Sequence, residues 1–91
     1  MLKRIMKEQE KIFKAFANRR RLAIISFLKK EGEAPVATIA GEIKLSFKAT
    51  SKHLGILAAA DILEKDQRSL QMFYRLSDNQ KPLIKRILSN L

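Results

Sequence analysis

Leu45–Ser46–Phe47–Lys48–Ala49–Thr50–Ser51–Lys52–His53–Leu54–Gly55–Ile56–Leu57 is the stretch whose reading decides the fold. Ser46 is a helix N-cap type, its hydroxyl suited to accept an orphan N–H of the first turn. Thr50, Leu54 and Leu57 follow at i, i+4, i+7 and predict one largely apolar face. Lys48, Ser51, Lys52 and Gly55 fall on the opposite face, which holds two cations and a hydroxyl and no acid. A short helix that buries one side and offers Lys and Ser on the other suits a groove lined by phosphates. An ordinary amphipathic helix with a solvated Lys face reads the same way, so the surrounding chain has to decide.

Just upstream, Pro35 starts a short helix, Val36 to Ile43, with Val36, Ile39, Ala40 and Ile43 facing inward; Lys44–Leu45 links it to Ser46. Two short helices joined by a tight turn, the second with a basic polar face, form a helix-turn-helix. Gly32 closes the helix before them as a left-handed C-terminal residue. That helix runs from Arg19 to Lys30 with Asn18 as its cap, and Ile24, Ile25, Phe27 and Leu28 place it in the core. Its first turn, Arg19–Arg20–Arg21, puts cations where the helix dipole disfavours them by about 0.3–1 kcal/mol each. An anion held at that end reverses the sign; otherwise Glu8 or Glu10 pairs with these arginines, or their stems merely cover apolar surface. Further out, Leu2, Ile5, Met6, Gln9, Ile12, Phe13 and Phe16 recur every three or four residues and predict a first helix over 2–17 with a nearly continuous apolar stripe.

Downstream, Leu70, Met72, Tyr74 and Leu76 alternate with Gln71, Phe73 and Arg75 after the polar break at Gln67–Arg68–Ser69. Alternation predicts a β-hairpin over 62–76, which directly after a helix-turn-helix is a wing. Ser77–Asp78 is expected to cap a last helix over 79–91, striped by Leu83, Ile84, Ile87, Leu88 and Leu91. The fold class is therefore mainly α with a small β-hairpin, a winged helix-turn-helix of five helices and a two-stranded wing, in a single domain over 1–91.

Composition narrows the function classes. The chain carries 19 Lys and Arg against 9 Asp and Glu, a net charge of +10, which favours a polyanionic partner. Without cysteine there are no disulfides or thiolate metal sites. No apolar run approaches a membrane span, and Met1–Lys7 lacks a signal-peptide core, so a cytoplasmic location is expected. The charge is uneven: residues 1–30 hold ten cations and two acids, residues 31–60 three of each, and residues 61–91 six and four. Most of the field arises outside the helix at Ser46. Ser51 and His53 project to different sides of a helix and cannot form a nucleophile–base pair; with no phosphate-binding Gly-rich loop or carboxylate pair, an enzyme is not expected.

Phe13–Lys14–Ala15–Phe16–Ala17–Asn18, Arg21–Leu22–Ala23–Ile24–Ile25, Leu45–Ser46, Ser51–Lys52–His53–Leu54–Gly55–Ile56–Leu57 and Phe73–Tyr74–Arg75–Leu76 together resemble the ArsR family of repressors, over about residues 9 to 77. The resemblance implies a homodimer that binds operator DNA through a recognition helix over 46–59 and the wing over 62–76, as a transcriptional repressor. The DNA-contact candidates are then Arg20, Arg21, Ser46, Phe47, Lys48, Ser51, Lys52, His53 and Arg68. The family's terminal helices form the dimer interface, here Leu2, Ile5, Met6, Ile12, Phe13, Leu83, Ile84, Ile87, Leu88 and Leu91. The family often has Gly at the positions of Lys44, Asp61 and Ser69 and a polar residue at that of Phe47. Where positive φ is needed, a non-Gly residue costs on the order of 1 kcal/mol. Phe47 is suited to a thymine methyl, to packing on the wing, or to a protein contact. The family's thiolate site falls at Pro35 and Ala37, and its other site needs a His on the last helix, whereas the one His is His53. No metal, no cofactor and no membrane are expected as partners; double-stranded DNA and a second copy of the chain are. The other reading is a winged-helix protein-interaction module without operator binding.

Overall fold

The computed structural model describes all residues 1–91. Its elements are α1 (Leu2–Phe16), α2 (Arg19–Glu31), β1 (Glu33–Pro35), α3 (Val36–Ile43), α4 (Phe47–Ala59), β2 (Leu63–Arg68), β3 (Gln71–Leu76) and α5 (Pro82–Ser89). The fold is a winged helix-turn-helix, as the residue pattern predicts. Asn18 caps α2 by accepting from the Arg20 and Arg21 amides at 2.9 and 3.1 Å, and Gly32 closes it at φ 90°. Ser46 Oγ accepts from the Ala49 amide at 3.1 Å and opens α4. Between α3 and α4 the backbone turns at Lys44, which takes the left-handed conformation at φ 55°, and the Leu45 amide donates back to the Ala40 carbonyl at 3.0 Å.

The wing is larger than the expected two strands. Glu33–Pro35 pairs antiparallel with β3 (Glu33 opposite Arg75, Ala34 opposite Tyr74), so β3 lies between β1 and β2. β1 is an edge, and Pro35, which has no N–H to give, ends it and starts α3. β2 and β3 pair from Leu63 opposite Leu76 to Arg68 opposite Gln71, joined by a two-residue turn at Ser69–Leu70. Ser69 sits at φ 57° and Asp61, ahead of the wing, at φ 62°. With Lys44 these are the three positions at which the ArsR resemblance carries Gly.

Ile24, Ile25, Leu28, Ile39, Leu54, Leu57, Ile62 and Ile84 are fully buried and form one core shared by α2, α3, α4, α5 and the segment leading into β2. Burying one such side chain contributes at most about 1.5–3 kcal/mol. Thr50 sits among them with its hydroxyl unpartnered.

The C-terminal helix is shorter than 79–91: Ser77 Oγ accepts the Asn79 amide at 3.3 Å, but Ser77 and Asp78 are both tied to the base of the wing. Ser77 Oγ and the Asp78 amide both donate to Glu64 Oε1, at 2.9 and 3.1 Å. α5 instead begins with Pro82 in its first turn, where a missing N–H costs nothing. The apolar stripes of the terminal helices are also divided. Ile12, Ile84 and Leu88, expected at a dimer interface, are sealed in the protomer's own core. Leu83 and Ile87 are half-buried against it, and Leu2, Ile5, Met6, Phe13 and Leu91 remain exposed.

Candidate nucleic-acid interface

α4 is anchored by Thr50, Leu54 and Leu57, which turns Lys48 and Lys52 fully outward with Ser51 at the margin. No carboxylate lies within ion-pair distance of either lysine. Ser46 and Phe47 stand at the start of the helix, with the Phe47 ring 60% exposed. A small gap lined by Pro35, Val36, Ala37, Phe47, Leu70, Gln71 and Met72 separates this end of α4 from the wing tip. Phe47 therefore faces the wing across a gap and leaves much of its ring in solvent.

Two of the expected DNA contacts, Arg21 and Arg68, have partners within the protein. Arg21 donates from Nε to the Ala15 carbonyl at 2.7 Å and from a terminal nitrogen to the Lys14 carbonyl at 3.0 Å. It thus caps α1, whose last carbonyls lack helical partners. Its other terminal nitrogen lies 3.1 Å from His53 Nδ1. Arg21 is a tie between α1, α2 and α4, not a free cation at a helix start. Arg68 is likewise committed: it meets both oxygens of Glu33, pairs with Asp66 at 3.0 Å and lies over the Phe73 ring at 4.5 Å. These bonds hold Glu33 below the usual carboxylate range, the Arg68 hydrogen bond first, and raise Arg68 further above its usual value. Arg68 ends a strand, and the wing tip is Ser69–Leu70, with Leu70 97% exposed.

Arg20 stays exposed, with only a long 3.5 Å contact to the Ile43 carbonyl. His53 is half-buried beside Arg21. Burial first, then the charges of Arg21, Arg20 and Lys52, hold its pKa below 6.5. At the base of the wing, Arg75 pairs with Glu64 at 2.8 Å. The bonds from Ser77 and the Asp78 amide, with Arg75, keep Glu64 ionised to lower pH than usual. No three His, Asp or Glu side chains are gathered where they would hold a metal, and no helix is long and apolar enough to cross a membrane.

No protein-family model matches the chain. An uncharacterised HTH-type transcriptional regulator of Methanocaldococcus jannaschii is 36% identical over 75 residues, covering 81% of this chain and 84% of that protein. The crystal structure of NolR from Sinorhizobium fredii superposes with a TM-score of 0.80 at 28% identity, over 96% of this chain and 83% of that one. The chain belongs to the helix-turn-helix transcriptional regulators. It is a regulator, not an enzyme. The same fold, at a TM-score of 0.80 and 24% identity, is that of the homodimeric winged helix-turn-helix DNA-binding domain of a possible ArsR-family regulator from Mycobacterium bovis, over 94% of this chain and 76% of that one.

In this regulator the helix-turn-helix brings Ser46, Phe47, Lys48, Ser51 and Lys52 together at one surface, with Arg20 and His53 at its flank. Arg21 ties α1 and α2 to α4 beside that surface, and Arg68 is paired within the neighbouring wing. Glu33, which fixes Arg68, carried no sequence signal: it lies 35 positions away from its partner. The capping role of Arg21 was foreshadowed only by an arginine in the first turn of α2, where cations are unusual.

Proposed function

We propose that this regulator is a sequence-specific double-stranded DNA-binding repressor that acts as a homodimer, with α4 as its recognition helix and the hairpin as its wing. The observation that carries it is the outward face of α4, where Lys48 and Lys52 stand unpaired beside Ser46 and Ser51 on a helix without an acid. Lys side chains read the acceptor edge of guanine or a phosphate, and Ser either partner. The structural relative from Mycobacterium bovis is a homodimer, and the exposed Leu2, Ile5, Met6, Phe13 and Leu91 supply an apolar surface for the same arrangement. The test is selection of bound fragments from random duplex DNA, with sedimentation of the free protein. Enrichment of one sequence and about twice the chain mass at micromolar concentration are expected. An unenriched pool and a clean monomer reject the reading and leave the exposed Phe47 and Leu70 to a protein partner instead.

Pro35 and Ala37 stand where related regulators carry a metal site, so zinc, cadmium and arsenite are expected to leave DNA affinity unchanged. A metal-dependent shift in tag-free protein would show otherwise.

A further inference from the structure

Arg21 determines the protonation of its neighbour. A guanidinium has only donors to offer, and one of its terminal nitrogens lies 3.1 Å from His53 Nδ1. That bond requires a lone pair on Nδ1. The imidazole proton must then sit on Nε2, and the ring is neutral, since an imidazolium would set N–H against N–H. Nε2 makes no hydrogen bond within the protein and is not buried, so the N–H it carries points to solvent. The ring's neighbours are cationic: Arg20 at the start of α2 and Lys52 one residue before it in α4, both exposed, with Arg21 behind. Arg21 cannot turn away, because its other two donors hold the Lys14 and Ala15 carbonyls at the end of α1. The result is a fixed neutral donor beside two exposed cations at the α2–α4 junction, on the flank of the face that bears Lys48 and Ser51. Two cations and an N–H fit a single anionic oxygen.

We propose that His53 seats one DNA phosphate through a neutral Nε2–H, with Arg21 as the positioning residue that fixes this tautomer and Arg20 and Lys52 flanking the seat. The proposal rests on the DNA-binding reading above. A neutral donor releases no counterion, so its contribution is independent of salt, unlike that of a lysine or arginine on the same backbone.

The sequence holds a single His, so its ring nitrogens are read without ambiguity in long-range proton–nitrogen NMR spectra of the full-length protein. The Nε2–H tautomer is expected at neutral pH, with a shift toward mixed tautomers in Arg21→Gln. Salt titrations then measure binding to a selected duplex. His53→Ala is expected to lose roughly fivefold in affinity, the size of one neutral hydrogen bond, at every salt concentration, with the salt slope unchanged. His53→Gln, whose amide nitrogen reaches the Nε2 position, recovers most of the loss, whereas His53→Asn, which reaches only the Nδ1 position, does not. Arg21→Gln loses a similar factor, and the double variant loses no more than either single one. An Nδ1–H tautomer, an imidazolium, equal affinities for the Gln and Asn variants, or a slope that falls by about one on removing His53 each overturn the seat. The Gln and Asn pair keeps the test valid if Ala disturbs folding. A wild-type protein that binds no duplex at low salt overturns the DNA reading itself, and the seat with it.

Discussion

Lys48 and Lys52 on α4 and Arg68 on β2 are cations of one sign on neighbouring parts of the same surface, yet they stand in opposite surroundings. Neither lysine has an acid in reach, whereas Arg68 is held by Glu33 and Asp66 and laid over Phe73. On the charged face of the sheet, Glu33, Glu64 and Asp66 occupy both cations, Arg68 and Arg75. The helix leaves its charge free for a ligand, while the wing spends its own on keeping its shape. Net charge counts both alike, which is why +10 alone does not locate an interface. Charge that is already paired adds little to long-range attraction and releases few counterions on binding.

The contrast is broken most severely from inside. Leu54 is fully buried beneath the lysines, and Leu54→Ala is expected to cost about 2–5 kcal/mol of stability. Leu70→Ala at the exposed wing tip should stay within about 0.5 kcal/mol; chemical denaturation of both variants compares them. Next in size is the direct comparison of cations. Lys52→Ala is expected to cost about 1–3 kcal/mol on the selected site and much less on unrelated duplex. Arg68→Ala should leave the salt slope of binding where it was, and instead loosen the wing in hydrogen exchange. A loss of about one unit of slope in Arg68→Ala would show that the wing cation leaves its acids for the phosphates. Ser69→Gly is smaller again: relief of the left-handed backbone at φ 57° should raise stability by about 0.5–1 kcal/mol in thermal melts. The smallest effect is that of mild acid. The folded-state pKa of His53 lies below 6.5, so its contribution is full above that pH and is lost as pH falls through the folded value. His53→Gln should flatten stability between neutrality and pH 5, whereas the lowered Glu33 and Glu64 act below their usual 4.5.

Local rules located most of the elements. The caps at Asn18 and Ser46, the Gly32 stop, the 3.6-residue stripes and the alternation through Tyr74 each depend on residues a turn or a step apart, and each stands where the pattern put it. β1 escaped because it has three residues, ends in Pro, and obtains its hydrogen bonds from a strand some forty positions later. Ser77–Asp78 has the composition of a cap, yet Glu64 across the wing base binds both residues. The site was legible only as far as residue type. That Lys52 is polar, basic and outward follows from helical spacing; that Arg21 and Arg68 are occupied does not, because their partners arrive only when the sheet and the helix ends assemble. A stripe likewise reports that Ile12, Ile84 and Leu88 must be covered, but not that the protomer itself covers them.

α1 carries one further consequence. Every residue from Met1 to Lys11 is exposed, and only the last turns of the helix, from Ile12 on, reach the body and the Arg21 cap. Some ten residues of helix thus project without tertiary support, and isolated helices of that length are marginal in water. Their amides should exchange with solvent within the dead time of a manual experiment in dilute protein, while those from Phe13 onward are retained. Raising the protein concentration should extend protection toward the N-terminus together with the melting temperature. On the proposed homodimer, the projecting half of α1 becomes rigid only on assembly, so that the order of the regulator's own N-terminus would report how many copies of it are present.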